Sequence, residues 1–470
     1  MGEERTMNIE RTQEEYTRQL KITGIKLVHF LVSTILFYIF WLLFRYGSLH
    51  PGEDVGFRYN IFVTLGYCIL LLSFNRTYNA YLLGYSRIRE LASAEFLSQL
   101  FSAVIIYILV SLGWNHWTNP LWLVTMMVVY VVLDIVWAYN GTGYYFHLYP
   151  PRKTILIYRN QLDKQRFGSI KGKPSERLYQ ITEELKWDGK FSELRDKLKG
   201  YDAIFVAGVN SRCRNGILKY CKEESIPGFF LPHIGDVIMQ ESMHIQSFDS
   251  PVLFVTRSTM KPEYRVLKRT FDIISSGMGI LILSPVMVLT ALMIRLYDGG
   301  PAIYKQTRLT TSGREFQIWK FRSMRVDAEK DGVARLSTGE KDDRITPIGR
   351  FIRKCRLDEL PQLFNIFLGD MSVVGPRPER PEIAEQYYKI IPDFKLRLQV
   401  KAGLTGYAQV YGKYNTDPYE KLEFDLLYIN NMSVLTDLKL IFATFSILFS
   451  SESTTGVEGT TAMDYEDEEE

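Results

Sequence analysis

One apolar stretch decides how the chain is organised: Phe271 to Leu296, with the sequence FDIISSGMGILILSPVMVLTALMIRL. As a helix it would be about 39 Å long, which is enough to cross a bilayer. Yet Ser284 and Pro285 lie at its middle, where a proline removes a helix hydrogen bond and predicts a kink. Basic residues flank both ends, namely Lys261, Arg265, Lys268 and Arg269 before it and Arg295, Lys305, Arg308 and Arg314 after it. Since positive charge marks the cytosolic side, we expect a re-entrant helix, 271–296, that is kinked at Ser284 and Pro285 and leaves by the face it entered.

The first third of the chain carries further apolar runs, which predict a four-span α-helical membrane bundle over residues 25–138, behind a cytosolic segment, 1–24. The runs are Leu27 to Phe44, Ile61 to Phe74, Phe96 to Leu112 and Leu121 to Trp137, of which the second is the shortest. Basic residues crowd the N-terminal segment, the 75–92 loop and the stretch after the fourth run, so both ends of the bundle are expected in the cytosol. Asp134 lies in the last run near its cytosolic end, and we assign it a structural or interfacial role because a lone acid makes a poor transport pathway.

Residues 150–258 have the pattern of an α/β domain. Short apolar strands alternate with polar helical stretches; the predicted strands are Thr154 to Tyr158, Ala203 to Gly208, Phe229 to Leu231 and Val252 to Val255, and the predicted helices are Ser175 to Glu184 and Phe191 to Lys199. This alternation is typical of a small, parallel, Rossmann-like sheet. A dinucleotide-binding version needs glycines straight after the first strand, but the residues from Tyr158 to Asp163 include none. We therefore expect a degenerate domain that acts as a linker or oligomerisation module and does not bind a nucleotide.

Charge is distributed unevenly along the chain. The 470 residues are 46% hydrophobic and the net charge is only +3, but sixteen lysines and arginines fall between Lys305 and Arg380. The C-terminal residues, 452–470, finish in a run of acids and are predicted to be a disordered acidic tail. The basic region is where an anionic substrate is expected.

Within this basic region two adjacent acids, Asp358 and Glu359, are surrounded by cations. Such carboxylates are expected to have lowered pKa values, to stay ionised at neutral pH, and to hold Mg²⁺ or attack phosphorus. Upstream, the alternating residues from Ser312 to Met324 predict a strand with Lys320 and Arg322 on one face, where they can clasp a diphosphate. Single motifs of this kind are more often solvated surface, so it is the ensemble that indicates phosphoryl chemistry.

Three motifs in this order closely resemble the bacterial sugar transferase family of polyprenyl-phosphate hexose-1-phosphate transferases. They are Lys320-Phe321-Arg322-Ser323-Met324, Leu357-Asp358-Glu359-Leu360-Pro361-Gln362-Leu363 and Gly369-Asp370-Met371-Ser372-Val373-Val374-Gly375-Pro376-Arg377-Pro378. The resemblance covers Lys268 to about Ser451, within an α/β catalytic domain that we place at 262–451, and the four spans with the degenerate domain resemble the long form of the family. One position departs from the family pattern, because Thr310 occurs where a glycine is usual, in the turn after Gln306 and Arg308.

The resemblance implies a two-step reaction on the cytosolic face of the bacterial inner membrane, the initiating step of exopolysaccharide, capsule or O-antigen synthesis. Asp358 would attack the sugar-proximal phosphate of a UDP-hexose and expel UMP, and undecaprenyl phosphate would then take the phosphosugar. Glu359 would be the second catalytic acid and a ligand of Mg²⁺, with Asp370 as a further candidate ligand. The cations implied to bind substrate are Lys320, Arg322, Arg377 and Arg308. The implied partners are the two substrates and the lipid bilayer, with no nucleic acid, and no feature excludes a homo-oligomer.

Two other classes of protein stay open on the residues alone. A metal-dependent glycosyltransferase could use Asp358 and Glu359 to bind a nucleotide sugar, and it would release UDP instead of UMP. A membrane scaffold or sensor could bind nucleotides without turnover. Neither class accounts for the re-entrant segment and the cationic motifs together, and no residue identifies which hexose is transferred.

Overall fold

The computed structural model describes residues 2–48, 56–114, 117, 119–168, 174–247, 250–255, 260–326, 328, 342, 344–412 and 417–448. Contacts divide the chain into two compact units, Met1–Leu231 and Pro232–Glu470, which we call unit 1 and unit 2. Each unit has hydrophobic cores of its own. The predicted acidic tail, 452–470, lies outside the described residues.

Long helices form the first part of unit 1: α1 (Gly2–Ser48), α2 (Phe57–Tyr78), α3 (Ile88–Gly113) and α4 (Leu121–Leu148). The short run Ile61 to Phe74 lies within α2, whose 22 residues are enough to cross a bilayer. Side chains from all four helices share one core, among them Phe37, Tyr67, Ile106 and Met126. Within the described part of the chain, five helices are long and apolar enough to span a membrane: these four and one in unit 2.

A polar layer lies inside this bundle and changes the interpretation of Asp134. Because α4 continues to Leu148, Asp134 is at mid-helix and buried. The Gln99 side chain donates to Asp134 at 2.9 Å, and His29 Nε2 lies 3.9 Å from Asp134 Oδ1 and 3.6 Å from Glu95 Oε2. The expectation of a lone acid is therefore wrong, and the end of the apolar run near which Asp134 lies is inside the helix.

A parallel sheet with the strand order β2-β1-β3-β4 follows in unit 1. Its elements are β1 (Arg152–Tyr158), α5 (Gln161–Gly168), β2 (Tyr179–Lys186), α6 (Phe191–Leu194), β3 (Ala203–Ala207), α7 (Ser211–Glu223) and β4 (Gly228–Phe230). The predicted helix Ser175 to Glu184 is wrong, because most of this segment pairs with β1 as an edge strand. Most β2 side chains are exposed, so their polar pattern differs from the apolar pattern of β1 and β3.

An acid lies where a sheet of this type would receive a phosphate. Such sheets bind phosphates at the carboxyl ends of the strands on either side of the point where the strand order reverses, here β1 and β3. Gly208 follows β3, and a Cβ on this residue would lie 1.6 Å from Asp163 Oδ2. The carboxylate of Asp163 therefore fills this space, and its negative charge disfavours a phosphate there.

Unit 2 begins with α8 (Ile234–Met239) and an antiparallel hairpin of β5 (Met243–Ser247) and β6 (Ser250–Phe254). The predicted strand Val252 to Val255 is thus half of a hairpin and is not part of the parallel sheet. The unit that contains the sheet ends at Leu231, whereas the predicted domain extends to 258.

The long apolar stretch is a single helix, α9 (Pro262–Asp298). It is longer at both ends than the predicted 271–296, and it continues past Pro285 without dividing into two helices. The proline has no N–H to donate to the carbonyl of Leu281, and the Ser284 hydroxyl donates to that carbonyl at 2.8 Å instead. The Ser-Pro pair therefore satisfies the helix backbone where one hydrogen bond is missing.

The elements after α9 carry the predicted motifs. They are β7 (Ile303–Leu309), β8 (Glu315–Phe321), α10 (Pro347–Lys354), α11 (Gln362–Leu368), β9 (Ser372–Val374), α12 (Pro381–Ile390), β10 (Gly403–Thr405), α13 (Tyr407–Tyr411), α14 (Pro418–Asn430) and α15 (Val434–Leu448). β7 and β8 form an antiparallel hairpin, while β9 pairs in parallel with β10. α12, α14 and α15 share a core with Val374 of β9, so the short β9–β10 pair is supported by three helices.

α9 contacts the rest of unit 2 from its first turns to its last residue. Near its start, the Lys268 ammonium donates to Asp437 of α15 at 2.7 Å, and Asp272 Oδ1 accepts the Val373 N–H at 2.9 Å. Its last residue, Asp298, pairs with Arg322. The opposite face is apolar and exposed, and it includes Leu281, Ile282, Val288, Leu289 and Leu296. One face of the helix is therefore bound to unit 2, and the other can contact lipid.

Candidate active site

The turn Leu357–Glu359 carries the two candidate catalytic acids, Asp358 and Glu359. Arg356, the residue before the turn, has a φ of 52°, in the left-handed region that residues with a side chain seldom adopt. α10 ends at Lys354, so the chain reverses at Arg356 between this helix and the turn. Both acids are consequently presented on the turn and not on the side of α10.

Asn365 of α11, the helix that follows the turn, bonds to the strand that carries Lys320, a contact that we did not predict. Its amide nitrogen donates to the Gln317 carbonyl at 2.8 Å, and its amide oxygen accepts the Trp319 N–H at 2.9 Å. The Asn365 side chain therefore bonds to one backbone carbonyl and one backbone N–H of β8, as the backbone of a neighbouring strand would. The sequence signal that could have indicated this contact is an asparagine flanked by apolar residues, since a polar side chain in an apolar segment needs hydrogen-bond partners.

The loop after β9 brings a cation to the acids. Arg377 Nη2 donates to Glu359 Oε1 at 2.8 Å. Prolines on both sides of Arg377 restrict the backbone. The loop begins at Gly375, where a Cβ would lie 2.4 Å from the Lys401 carbonyl oxygen, so only glycine fits against this backbone. The Arg377 side chain is 44% exposed, so its guanidinium pairs with Glu359 and is also open to solvent.

Lys320 lies in the same cluster of charges. Burial lowers its pKa to about 8; the charges of Glu359 and Asp358 oppose this shift, and those of Arg377 and Arg308 add to it. The cluster therefore joins β7, β8, the Leu357–Glu359 turn and the loop after β9. The charges of Asp358, Glu359 and Glu379 act on the cations of this cluster, and Arg353 and Arg356 add positive charge near the two acids of the turn. Clustered cations of this kind are suited to bind a diphosphate.

The two neighbouring acids differ in their pKa. Burial raises the pKa of Asp358, and the negative charge of Glu359 raises it further, against the opposing effects of Lys320 and Arg353. Burial also acts against ionisation of Glu359, but Arg377 and Lys320 outweigh it and hold the pKa of this carboxyl below its ordinary value. The prediction of a lowered pKa for both acids is thus wrong for Asp358. Adjacent carboxyl groups with separated pKa values are suited to different roles.

Arg308 and Arg322 have structural partners. The Arg308 guanidinium donates to the Pro378 carbonyl at 3.0 Å and to the Gln306 side chain at 2.7 Å, so it supports the loop that presents Arg377. Arg322 lies beyond the end of β8 and pairs with Asp298 of α9. The strand ends before Arg322, so the expectation that Lys320 and Arg322 share one strand face is wrong; binding of a diphosphate by these two cations stays a prediction.

Asp370 is separated from Glu359 by α11, whose seven residues span about 10 Å. The Asp370 carboxylate pairs with Arg314 at 3.0 Å, so the structure does not bring it to Glu359 as a second metal ligand. Over the described ranges, no group of three or more His, Cys, Asp or Glu side chains is arranged to hold a metal. Mg²⁺ commonly takes one or two carboxylates and fills its remaining positions with phosphate oxygens and water. The adjacent acids Asp358 and Glu359 fit an ion of that kind.

Thr310 takes the place of the family's glycine without strain. Its backbone is extended, with a φ of −130°, and the left-handed residues of the turn are Ser312 and Gly313. The Thr310 hydroxyl donates to the Asp370 carbonyl at 3.1 Å and accepts the Ala402 N–H at 3.2 Å. The side chain that a glycine would lack therefore ties the β7–β8 hairpin to the segments that flank β9 and β10.

Comparison with known proteins assigns unit 2 to a family. The family model described as bacterial sugar transferase matches residues 263–451. The exopolysaccharide production protein PSS of Rhizobium leguminosarum bv. phaseoli is 41% identical over 188 residues, which are 38% of this chain and 93% of that protein. The chain belongs to the bacterial sugar transferase family. Residues outside the match, including the four-helix bundle and the parallel sheet, are not covered by this relative.

This sugar transferase is also similar to proteins that have different sugars in their names. The UDP-glucose:undecaprenyl-phosphate glucose-1-phosphate transferase of Escherichia coli (strain K12) is 42% identical over 199 residues, which are 41% of this chain and 42% of that protein. The UDP-N-acetylgalactosamine-undecaprenyl-phosphate N-acetylgalactosaminephosphotransferase of Aeromonas hydrophila is 39% identical over 192 residues, 40% of this chain and 45% of that protein. The match spans less than half the length of these two relatives. Similar identity to both means that identity alone does not select a sugar.

Proposed function

We propose that this sugar transferase moves hexose-1-phosphate from a UDP-sugar to undecaprenyl phosphate, releases UMP, and so begins synthesis of an exopolysaccharide, a capsule or an O-antigen. The observation that carries the proposal is the pair Asp358 and Glu359, set among the charges of Lys320 and Arg377. The names of the relatives support the two substrates. We place the reaction on the cytosolic face of the bacterial inner membrane, in keeping with the distribution of basic residues.

In the first step, an Asp358 carboxylate oxygen bonds to the sugar-proximal phosphorus of the UDP-sugar. The bond from that phosphorus to the bridging oxygen breaks, and UMP leaves with the electron pair, which leaves the phosphosugar joined to Asp358 as an acyl phosphate. Lys320 and Arg377 stabilise the negative charge on the phosphoryl oxygens, the former as a compact charge and the latter through hydrogen bonds. The raised pKa of Asp358 makes its carboxylate a stronger nucleophile than an ordinary aspartate.

In the second step, a phosphate oxygen of undecaprenyl phosphate attacks the same phosphorus. The bond to the Asp358 oxygen breaks and returns the carboxylate, and the product is an undecaprenyl diphosphate sugar. The same cations serve both steps, because charge develops at the same phosphoryl oxygens.

Mg²⁺ would be held by the Glu359 carboxylate, which also accepts a hydrogen bond from Arg377. When bound, the ion would supply positive charge to the diphosphate and to the departing UMP. Arg377 keeps Glu359 ionised and therefore ready to bind a cation.

The position of α9 explains how the phosphate of a membrane lipid can reach this site. Residues near its start bond to α15 and β9, Ile294 near its end packs with Phe321 of β8, and the opposite face is apolar. We propose that the helix is re-entrant, with unit 2 on one side of the bilayer. A helix that crossed the bilayer upright would carry its two ends to opposite sides, whereas both ends of α9 contact the same unit.

Product analysis of the full-length protein in nanodiscs tests the proposal. The protein is incubated with Mg²⁺, undecaprenyl phosphate and a panel of UDP-hexoses, and we expect UMP with at least one sugar. Release of UDP would make the protein an ordinary glycosyltransferase. Neither product with any sugar would favour a scaffold or sensor.

The rate is expected to show a bell-shaped dependence on pH. Asp358 attacks only as the carboxylate, and its raised pKa places the acid limb above the ordinary aspartate range. Lys320 acts only as the ammonium, so the rate falls as the pH rises through about 8. UMP release in nanodiscs measures both limbs. In the Lys320→Arg variant the alkaline limb should move to higher pH, because arginine stays charged in this range. An unchanged alkaline limb would contradict the role of Lys320.

Glu359→Gln is expected to raise the Mg²⁺ concentration for half-maximal activity about tenfold or more, because the amide keeps the shape of the side chain and loses the charge that attracts the metal. Titration of Mg²⁺ against UMP release measures this shift. Asp370→Asn is the matched comparison, because its carboxylate pairs with Arg314 at the far end of α11. A shift in Asp370→Asn and none in Glu359→Gln would assign the metal to the other acid.

A further inference from the structure

The loop that presents Arg377 is held by its carbonyl groups. Prolines at 376 and 378 have no N–H, so this loop has few donors of its own. Each of four consecutive carbonyls accepts a hydrogen bond from another segment: Pro376 from Gly403 N at 2.9 Å, Arg377 from Arg397 Nη2 at 2.8 Å, Pro378 from Arg308 Nη1 at 3.0 Å and Glu379 from Leu309 N at 3.0 Å. Of these donors, Arg397 is the one that fixes the residue facing Glu359.

Arg397 is itself held on several sides. It is 3% exposed, and its Nε and Nη2 lie 2.8 Å from Asp425 Oδ2 on α14. Its Nη1 lies 3.6 Å from Glu379 Oε1, and its guanidinium carbon lies 4.7 Å from the centre of the Phe394 ring. The guanidinium is therefore contacted on several sides where it donates to the Arg377 carbonyl.

A gain in stability alone does not explain why Arg397 and Asp425 form a buried ion pair. Removing two charges from water is costly, and apolar residues of similar volume often stabilise a core as well or better. An apolar pair in place of Arg397 and Asp425, however, would have no hydrogen-bond donor for the Arg377 carbonyl. The neighbouring prolines cannot supply one, because they have no N–H. The charged pair supplies hydrogen bonds of fixed direction, because the planar Arg397 guanidinium donates both to Asp425 and to the Arg377 carbonyl.

We propose that Arg397 is a positioning residue of the transfer reaction: held by Asp425, it fixes the Arg377 backbone so that the Arg377 guanidinium meets Glu359 and the phosphoryl oxygens. This inference rests on the proposed function, in which Arg377 stabilises the phosphoryl group. Arg397 does not touch the substrate, and it acts through Arg377.

Arg397→Lys tests the proposal, because it keeps a positive charge beside Asp425 and replaces the fork by a single nitrogen. We expect kcat for UMP release to fall about 10- to 100-fold, with the KM for the UDP-sugar nearly unchanged. The matched control is Lys395→Ala, an exposed residue two positions away, which should keep the activity of the unmodified protein.

A double-mutant cycle separates positioning from a merely structural role. If Arg397 acts through Arg377, Arg397→Lys should have no further effect on the rate in an Arg377→Ala background. Equal losses in both backgrounds would overturn the proposal, because they would show that the two residues act independently.

Hydrogen exchange of the full-length protein gives a readout that needs no turnover. The amide hydrogens of Gly375, Arg377 and Glu379 should exchange faster in Arg397→Lys than in the unmodified protein or in Lys395→Ala. Unchanged exchange in Arg397→Lys would overturn the positioning role, even if the unmodified protein releases UMP as proposed. Conversely, if no UDP-sugar yields UMP, the proposed function fails while the exchange result still decides whether Arg397 fixes the loop.

Discussion

Asp358→Asn is expected to lower UMP release from the UDP-sugar by at least about 10³-fold, because the substitution removes the proposed nucleophile. The amide oxygen is neutral and cannot form the acyl phosphate with the phosphosugar. Asparagine has nearly the shape of aspartate, and Asp358 is partly exposed on its turn, so the fold should be kept. Release of UMP and the thermal unfolding midpoint, both measured on protein in nanodiscs, check these two expectations.

Mass spectrometry distinguishes a covalent mechanism from direct attack by the lipid phosphate. Without undecaprenyl phosphate, the unmodified protein should gain the mass of one phosphosugar, and Asp358→Asn should gain none. The exposed Asp393 offers a matched control, and Asp393→Asn should label normally. Full activity in Asp358→Asn would remove this residue as the nucleophile, and an unmodified protein that turns over without ever labelling would favour direct attack.

Arg377→Ala is expected to lower kcat by about 10²- to 10³-fold, the usual effect of deleting a group that stabilises charge in the transition state. Two causes combine, because the phosphoryl oxygens lose a donor and Glu359 loses the partner that holds its pKa low. Arg377→Lys should recover part of the rate, since it restores charge without the guanidinium geometry. The measurement is the kcat and KM of UMP release across the UDP-sugar concentration.

The division between kcat and KM decides what Arg377 does. A loss confined to KM, with kcat unchanged, would mean that Arg377 binds the substrate and transition state equally and has no special role in catalysis. The exposed Lys389 on α12 serves as the control, because Lys389→Ala removes a positive charge from the same unit without touching the loop. Its kinetic constants should match those of the unmodified protein.

Long apolar runs were predictable because their length is itself the signal. The helices α1 to α4 and α9 all contain the runs expected from hydrophobicity. The end of α4 was not predictable in this way, because its last residues, 138–148, include polar and glycine residues although the helix continues. The position of Asp134 at mid-helix follows from those residues. The strand β2 was missed for a related reason, since an exposed edge strand has no apolar pattern.

The acids and Arg377 could be predicted because they lie in contiguous motifs. The structure places Arg377 against Glu359, although 17 residues separate them in the chain. Two kinds of information were beyond the motifs. One was burial, which raises the pKa of Asp358 when charge alone predicts a decrease. The other was support from distant residues, since Asn365 reaches β8 and Arg397 reaches both Asp425 and the Arg377 loop.

The apolar outer face of α9 affects how this enzyme can be handled in the laboratory. A shortened chain that begins at residue 260 would lose the four-helix bundle, yet it would still expose Leu281, Ile282, Val288, Leu289 and Leu296 along one helix. Apolar patches of this kind cause self-association in water. Removing the bundle therefore does not yield a detergent-free preparation, and the amphiphile that covers α9 becomes a variable of every assay of the catalytic unit.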